Sequence, residues 1–348
     1  MHSFGNLVLF PWGWSSSAPP NNTSLETLGR KFGFHNGYDV CQGGADGCIY
    51  QTSGTTDDWM YGDLGVAAYT FEIGTEFFES CSYFDENILP KNLPALLYAF
   101  KAARLPYQSP AGPESLDLVL PEDHVFPGAQ IVLTAKADDT RYNSNGWGDE
   151  PVQDIAAARY SLDAPSWIDD VTTYSISPHD GSFDSPVESL SAFIDTAGWE
   201  FGRHTLFVES QDADGNWGVP SAIFLWITAE GYMPDLDPTD VEGNALRGSE
   251  LSYTFKITNL SSIEDTFDIQ ITGNGWDTVV DTNPIGPLAS LESYLFNVTV
   301  VVPGSVEVGS QDIATLSAIS QGDPTKQASA TIKTTARSPA VFFPLIQN

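Results

Sequence analysis

Basic residues are scarce in this sequence: 14 Lys and Arg stand against 46 Asp and Glu, a formal net charge of −32 over 348 residues. So acidic a surface repels nucleic acid and anionic lipid, which excludes both as partners, while it favours cations and basic peptides. Long apolar runs are missing too. No stretch reaches the roughly 18 residues of a membrane-spanning helix, so no membrane span is expected. A basic-then-apolar opening is also absent, so no signal peptide is read in this chain. Cysteine is limited to Cys41, Cys48 and Cys81, without the paired spacing of a zinc finger. Cys41 and Cys48 flank a Gly-rich loop and leave two outcomes open, a small disulfide or two free thiols.

What is present supports packed cores. Hydrophobic residues make up 41% and aromatics 12% of the chain, and its length suits two or three domains. Residues 3–10 read as a strand. Leu25, Leu28 and Phe32 recur at helical spacing over residues 24–34, after a capping candidate at Asn22, Thr23 or Ser24. Thr56 or Asp57 caps a short helix through Trp59 and Tyr61, and residues 66–73 read as a buried strand. Residues 90–103 form an amphipathic helix whose apolar positions are Leu93, Leu96, Leu97, Phe100 and Ala103. Helices alternating with strands indicate an α/β layer.

The texture changes after Leu105. Pro106, Pro110, Gly112 and Pro113 mark a linker, and short β-type runs follow at 116–120, 130–137, 156–162, 190–195, 204–209 and 222–228. Another set occupies 251–259, 266–272, 293–302, 312–319 and 328–335. That spacing predicts β-sandwiches. Asn-x-Ser/Thr sequons occur at Asn21, Asn22, Asn259 and Asn297.

Three segments, in order, carry the chemistry: His2-Ser3-Phe4-Gly5 running through Leu9-Phe10-Pro11-Trp12-Gly13, then Ile49-Tyr50-Gln51-Thr52-Ser53-Gly54-Thr55-Thr56-Asp57-Asp58-Trp59, then Ala68-Tyr69-Thr70-Phe71-Glu72-Ile73. Over residues 2–107 they resemble the C-terminal third of the pancreatic-type zinc carboxypeptidases, the metallocarboxypeptidase family. Phe4 departs from the Tyr of many relatives. The later strands, Tyr253-Thr254-Phe255-Lys256-Ile257-Thr258-Asn259 above all, resemble immunoglobulin-like accessory domains of secreted bacterial hydrolases. The expected fold class is therefore multidomain: a partial α/β zinc-carboxypeptidase fold, a mixed sheet with helices, followed by two all-β immunoglobulin-like sandwiches. The boundaries are 1–107 for the C-terminal portion of the catalytic domain, 108–115 for the linker, 116–230 and 231–337 for the sandwiches, and 338–348 for a tail.

The resemblance implies roles residue by residue. His2 is a zinc ligand. Glu72 is the general base that takes a proton from zinc-bound water and delivers it to the leaving amine. Tyr50, 22 residues ahead of Glu72, closes over the substrate. Ser3, Asp57 and Thr70 belong to the substrate cleft, with Asp57 at the floor of the pocket for the departing side chain. An acidic residue there implies a preference for C-terminal Lys or Arg; the plainer reading of Asp57 is a cap on the helix carrying Trp59.

The family takes its other two ligands from a His-x-x-Glu pair, and no His of this sequence has Glu three residues later. The zinc site is therefore expected to be incomplete in this chain, and the 348 residues alone inactive. A second cation is a candidate at Asp212-Ala213-Asp214-Gly215-Asn216, whose alternate oxygens suit calcium, though a Gly-rich turn explains the same residues. The acidic loop with Asp138, Asp139, Asn143, Asn145, Asp149 and Glu150 is similar. The expected function is an extracellular, secreted metallocarboxypeptidase acting on peptide or protein C-termini, its sandwiches facing a cell surface or extracellular polymer. Alternatives are a non-catalytic adhesion protein with a relic peptidase segment, and a same-fold amidohydrolase of cell-wall peptides.

Overall fold

Strand β1 (Leu7–Phe10) is almost wholly buried, and its unbroken apolar run suits a strand covered on both faces. A computed structural model describes residues 1–143 and 150–338 of the chain. In it β1 is the middle of a three-stranded sheet, parallel to β2 (Asp39–Gln42) and antiparallel to β3 (Thr70–Glu72). The expected strand over 66–73 shrinks to these three residues, because β1 offers partners only from Leu7 to Leu9.

Helix α1 (Asn22–Asn36) lays Leu25, Leu28 and Phe32 on a core shared with Val8, Phe10, Val40 and Phe71. A Cβ on Gly29 would stand 2.6 Å from Val40, so this glycine lets the helix lie flush on β2. Gly37, at φ +74°, ends the helix in the left-handed region and donates its N–H to the Gly33 carbonyl. Helix α2 (Thr56–Leu64) begins after Thr55, with Asp57 and Asp58 in its first turn, where carboxylates complement the helix dipole.

A short helix α3 (Cys81–Tyr83) runs through a π turn at Phe84–Ile88 into α4 (Leu89–Ala102). Helix α4 departs from its expected orientation. It buries Asn92, Ala95, Tyr98 and Ala102, while Leu93, Leu97 and Phe100 are exposed. Small Ala95 and Ala102 and the hydrogen-bonding Asn92 face α1: the Asn92 amide donates to Tyr38 Oη at 2.9 Å and accepts from Asn36 at 3.3 Å.

Two compact units divide the chain. One comprises Met1–Asp123, Gln130–Asp195 and His204–Leu225; the other comprises His124–Ala129, Thr196–Arg203 and the chain from Trp226 onward. The first unit joins the α/β segment to strands β4 (Glu114–Val119), β6 (Gln130–Asp138), β7 (Ile155–Leu162), β8 (Thr173–Pro178), β9 (Val187–Asp195), and to β10 (Gly202–Asp212) from His204 and β11 (Ser221–Ile227) as far as Leu225, in the order β4-β6-β9-β8-β7-β10-β11. Strand β8 pairs first with β7 and then, at Ser177 and Pro178, with β9. Only Ile176 of β8 is buried, too weak a pattern for sequence reading to find.

Charged groups, not only apolar ones, hold α1 to these strands. Arg30 Nη1 meets Glu150 at 2.5 Å, and Thr27 Oγ1 donates to the same carboxylate at 2.6 Å. Lys31, fully buried, stands 3.6 Å from Glu114 and 3.9 Å over the Tyr142 ring. Arg141 Nε reaches Glu114 at 3.2 Å.

In the second unit, β5 (His124–Val125) runs parallel to Trp226–Ile227. Its sandwich pairs a sheet of β12 (Pro234–Asp237), β14 (Glu250–Asn259), β18 (Ser293–Val301) and β16 (Asp277–Val280) with a sheet of β13 (Asp240–Leu246), β20 (Gln327–Arg337), β19 (Gln311–Ser320), β15 (Asp265–Thr272) and β17 (Ile285–Leu288). Alternating burial along β14, β15, β18, β19 and β20 sends Phe255, Phe267, Phe296, Leu316 and Ile332 into one core. Asn259 is fully buried and donates to the Ile263, Leu288 and Ala289 carbonyls, so this sequon is closed to a sugar. The tail beyond Ser338 lies outside the described residues. No helix among the described residues is long and apolar enough to cross a membrane.

Candidate active site

The segment ahead of β1 doubles back along β3. His2 N–H donates to the Phe71 carbonyl at 2.8 Å, and Ile73 N–H donates to the His2 carbonyl at 2.9 Å. With Leu7 in register with Glu72, this brings His2 Nδ1 to 3.3 Å from both Glu72 oxygens. The histidine side chain is 70% exposed and the glutamate 16%, so the pair opens to solvent through His2.

The turn after β1 sets the other wall. Gly13 N–H donates to the buried Asp58 carboxylate at 2.8 Å, and Thr52 N–H donates to the Gly13 carbonyl at 2.9 Å. A Cβ on Gly13 would lie 2.5 Å from Thr52 Oγ1, so only glycine fits. The Trp12 ring packs edge-on against Tyr61 of α2, centroids 4.9 Å apart. Cys41 and Cys48 are joined in a disulfide, and Gln42 between them donates to the Ser15 and Ser17 carbonyls. Cys81 is free and exposed.

Between these walls lies a cavity of about 750 Å³ lined by His2, Tyr50, Asp57, Met60, Thr70 and Glu72, among others. Five of the six residues singled out from sequence therefore share one cavity. Tyr50 stands at its rim, 77% exposed. Asp57 is half-buried in the first turn of α2. One of its oxygens accepts from Asp58 N–H at 3.1 Å and the other from Thr70 Oγ1 at 3.0 Å, so Asp57 takes part in the helix start and also faces the cavity. The sixth residue, Ser3, points elsewhere: it lines a separate cavity with Phe77 and Cys81, and its hydroxyl donates to the Phe77 carbonyl at 3.4 Å. Phe4 stacks edge-on with Phe77.

Met60 was not anticipated. Three positions after Asp57 on one helix, it falls on the same face, a signal the sequence does contain. Asp58 also escaped notice, because its bond to Gly13 spans 45 positions.

As a metal centre these residues do not suffice. Among the described residues no group of three or more His, Cys, Asp and Glu side chains could hold a metal ion, and His2 with Glu72 offers one imidazole beside one carboxylate. The calcium expectation is not supported. Both Asp212 oxygens accept from Asn216, its backbone N–H at 2.7 Å and its side-chain amide at 2.8 Å, so the loop is an Asx-type turn. In the acidic loop, Asp138 is held by Lys136 and Thr140 and Glu150 by Arg30, while Asn145 and Asp149 lie outside the described residues.

Residues 1–90 match the family model described as zinc carboxypeptidase. Carboxypeptidase B of Bos taurus is 33% identical over 78 residues, which cover 21% of this chain and 18% of the relative. Carboxypeptidase B of Astacus astacus is 34% identical over 79 residues, 21% of this chain and 25% of that relative. The chain thus spans about a fifth of the length of the first two curated relatives it matches. Among solved structures, Escherichia coli alpha-2-macroglobulin activated by porcine elastase aligns with 66% of this chain and 22% of its own, at 12% identity and a TM-score of 0.31. Residues 1–90 are thus similar to zinc carboxypeptidases, and the chain after them is mostly β-strand.

Proposed function

We propose that residues 1–107 form one wall of a zinc carboxypeptidase active site that removes Lys or Arg from peptide C-termini. The observation that carries this reading is the meeting of His2 and Glu72 on the cavity shared with Tyr50, Asp57 and Thr70. When bound, zinc would lower the pKa of water and polarise the scissile carbonyl. His2 would be one of its ligands, the rest coming from a His-x-x-Glu pair outside these 348 residues. Glu72, next to His2 and partly shielded, would accept a proton at its carboxylate and return it to the leaving amine. Asp57, oriented by the Thr70 hydroxyl and the Asp58 amide, would pair with a cationic side chain in the cavity. Tyr50 at the rim would close over the peptide.

The Cys41–Cys48 disulfide supports an oxidising, extracellular setting, and the sandwiches would serve as spacers or surface-binding modules. The test is co-expression of the chain with the segment encoded directly upstream. Zinc-dependent release of C-terminal Lys or Arg, lost in Glu72→Gln, is expected. A stop codon immediately upstream, or release that survives Glu72→Gln, overturns the reading.

A further inference from the structure

Apart from the His2–Glu72 cavity, a second one of about 640 Å³ opens within the first unit, among the end of α4, the turn at 105–111 and strands β7 and β10. Its charge runs against that of the chain. Lys101, Arg104 and Arg159 line it, three of only 14 basic residues, against the single carboxylate of Glu209.

Arg159 is committed to protein contacts. Its Nε donates to Glu209 at 2.7 Å, its Nη2 donates to Ser166 Oγ at 3.2 Å, and its guanidinium lies 3.8 Å over the Trp217 ring. Arg104 and Lys101 are different. The Arg104 guanidinium stands 4.7 Å over the Trp167 ring, and Lys101 Nζ donates to Ser221 Oγ at 2.9 Å. Neither has a carboxylate partner within 4 Å among the described residues. An arginine stacked on an aromatic face keeps its in-plane N–H donors available for an oxyanion. Two uncompensated cations in a concave site of an acidic protein make a local trap for a small anion, whereas a polyanion would be repelled by the net charge of −32.

We propose that this cavity binds a small carboxylate-bearing solute: Arg104 and Lys101 take the carboxylate, Trp167 and Trp217 wall its body, and Gln108 and Asn216 offer amide groups to its polar substituents. The site is separate from the His2–Glu72 cavity and does not depend on the carboxypeptidase reading. An acidic sugar and an acylated amino acid both present this chemistry.

The test uses the full chain at constant ionic strength, titrated with glucuronate and with N-acetylalanine by calorimetry and tryptophan fluorescence. Glucose and N-acetylalaninamide serve as uncharged counterparts. Saturable binding of at least one acid and none of the neutral compounds is expected, with about a tenfold loss of affinity in Arg104→Gln and in Lys101→Gln. Both variants should keep the parent melting temperature, since neither side chain is buried. The acid that binds more tightly identifies the source, sugar or amino acid. Absence of saturable binding by either acid, equal binding of the neutral compounds, or affinity unchanged in both variants overturns the proposal.

Discussion

Nδ1 of His2 lies 3.3 Å from the carboxylate of Glu72, seventy positions away in the chain. Sheet register makes this contact: β1 and β3 align, and the residues flanking them add three backbone hydrogen bonds. His2 and Glu72 are thus brought together by backbone pairing on either side of the contact.

Glu72→Gln keeps the size and the hydrogen-bonding reach of the side chain but removes its basicity. In the co-expression assay that tests the proposed function, kcat should fall about 10²- to 10⁴-fold with KM little changed. Steady-state kinetics on a C-terminal Lys peptide checks this, and a pure KM effect would reassign Glu72 to binding.

Asp57→Asn should change preference rather than overall rate. With the carboxylate gone, kcat/KM for C-terminal Lys should drop at least about tenfold while that for C-terminal Leu holds or rises. Parallel loss on both substrates would place Asp57 in the helix start alone, where it bonds Asp58 N–H.

The Asp139 carboxyl gives a pH signature. Burial lifts it from 3.8 to about 6, while the Gln153 N–H and Lys31 pull the other way. The folded chain therefore holds this proton to higher pH than the unfolded chain does. Its contribution to stability is fully present below pH 3.8 and is lost as pH rises through about 6. Asp139→Asn should gain stability relative to the parent as pH goes from 4 to 7, read from paired thermal scans. A difference that is the same at every pH would contradict this origin.

Glu114 and Lys31 should respond unequally to substitution. Lys31 is fully buried and its Nζ has no hydrogen-bond partner among the described residues, while Glu114 also meets Arg141 at 3.2 Å. Glu114→Gln leaves Lys31 with no carboxylate within 4 Å among the described residues and only the longer-range pull of Asp139, at a cost of about 3 kcal/mol. Lys31→Met leaves Glu114 with Arg141 and should cost less than about 1 kcal/mol. Urea denaturation of both variants measures the two costs, and equal values would show that Glu114 does not serve Lys31.

Much of the fold was legible because it was periodic. Helix α1 and strands β6, β7, β14, β19 and β20 lie within a few residues of their expected limits, since each repeats apolar residues at the spacing its element buries. Helix α4 was found in the right place but turned the wrong way. Periodicity counts apolar positions, whereas packing chose the stripe of Asn92, Ala95, Tyr98 and Ala102 that fits against α1. Strand β8 was missed because one buried isoleucine makes no pattern. The shared cavity was legible only through family motifs, as no local rule links His2, Tyr50, Asp57 and Glu72.

By itself the sequence determined the acidic surface, the lack of an apolar span, the positions of most helices and strands, and which residues carry carboxypeptidase motifs. These are local or additive properties, set by residue type and spacing along the chain. Tertiary structure alone decided that His2 and Glu72 touch while Ser3 turns into a different cavity, that Asp212 binds Asn216 instead of standing free, and that Arg104 and Lys101 line a cavity with no carboxylate within 4 Å of either among the described residues. Such outcomes depend on contacts between residues tens of positions apart, whose energies arise only once strand register and helix packing have brought them together.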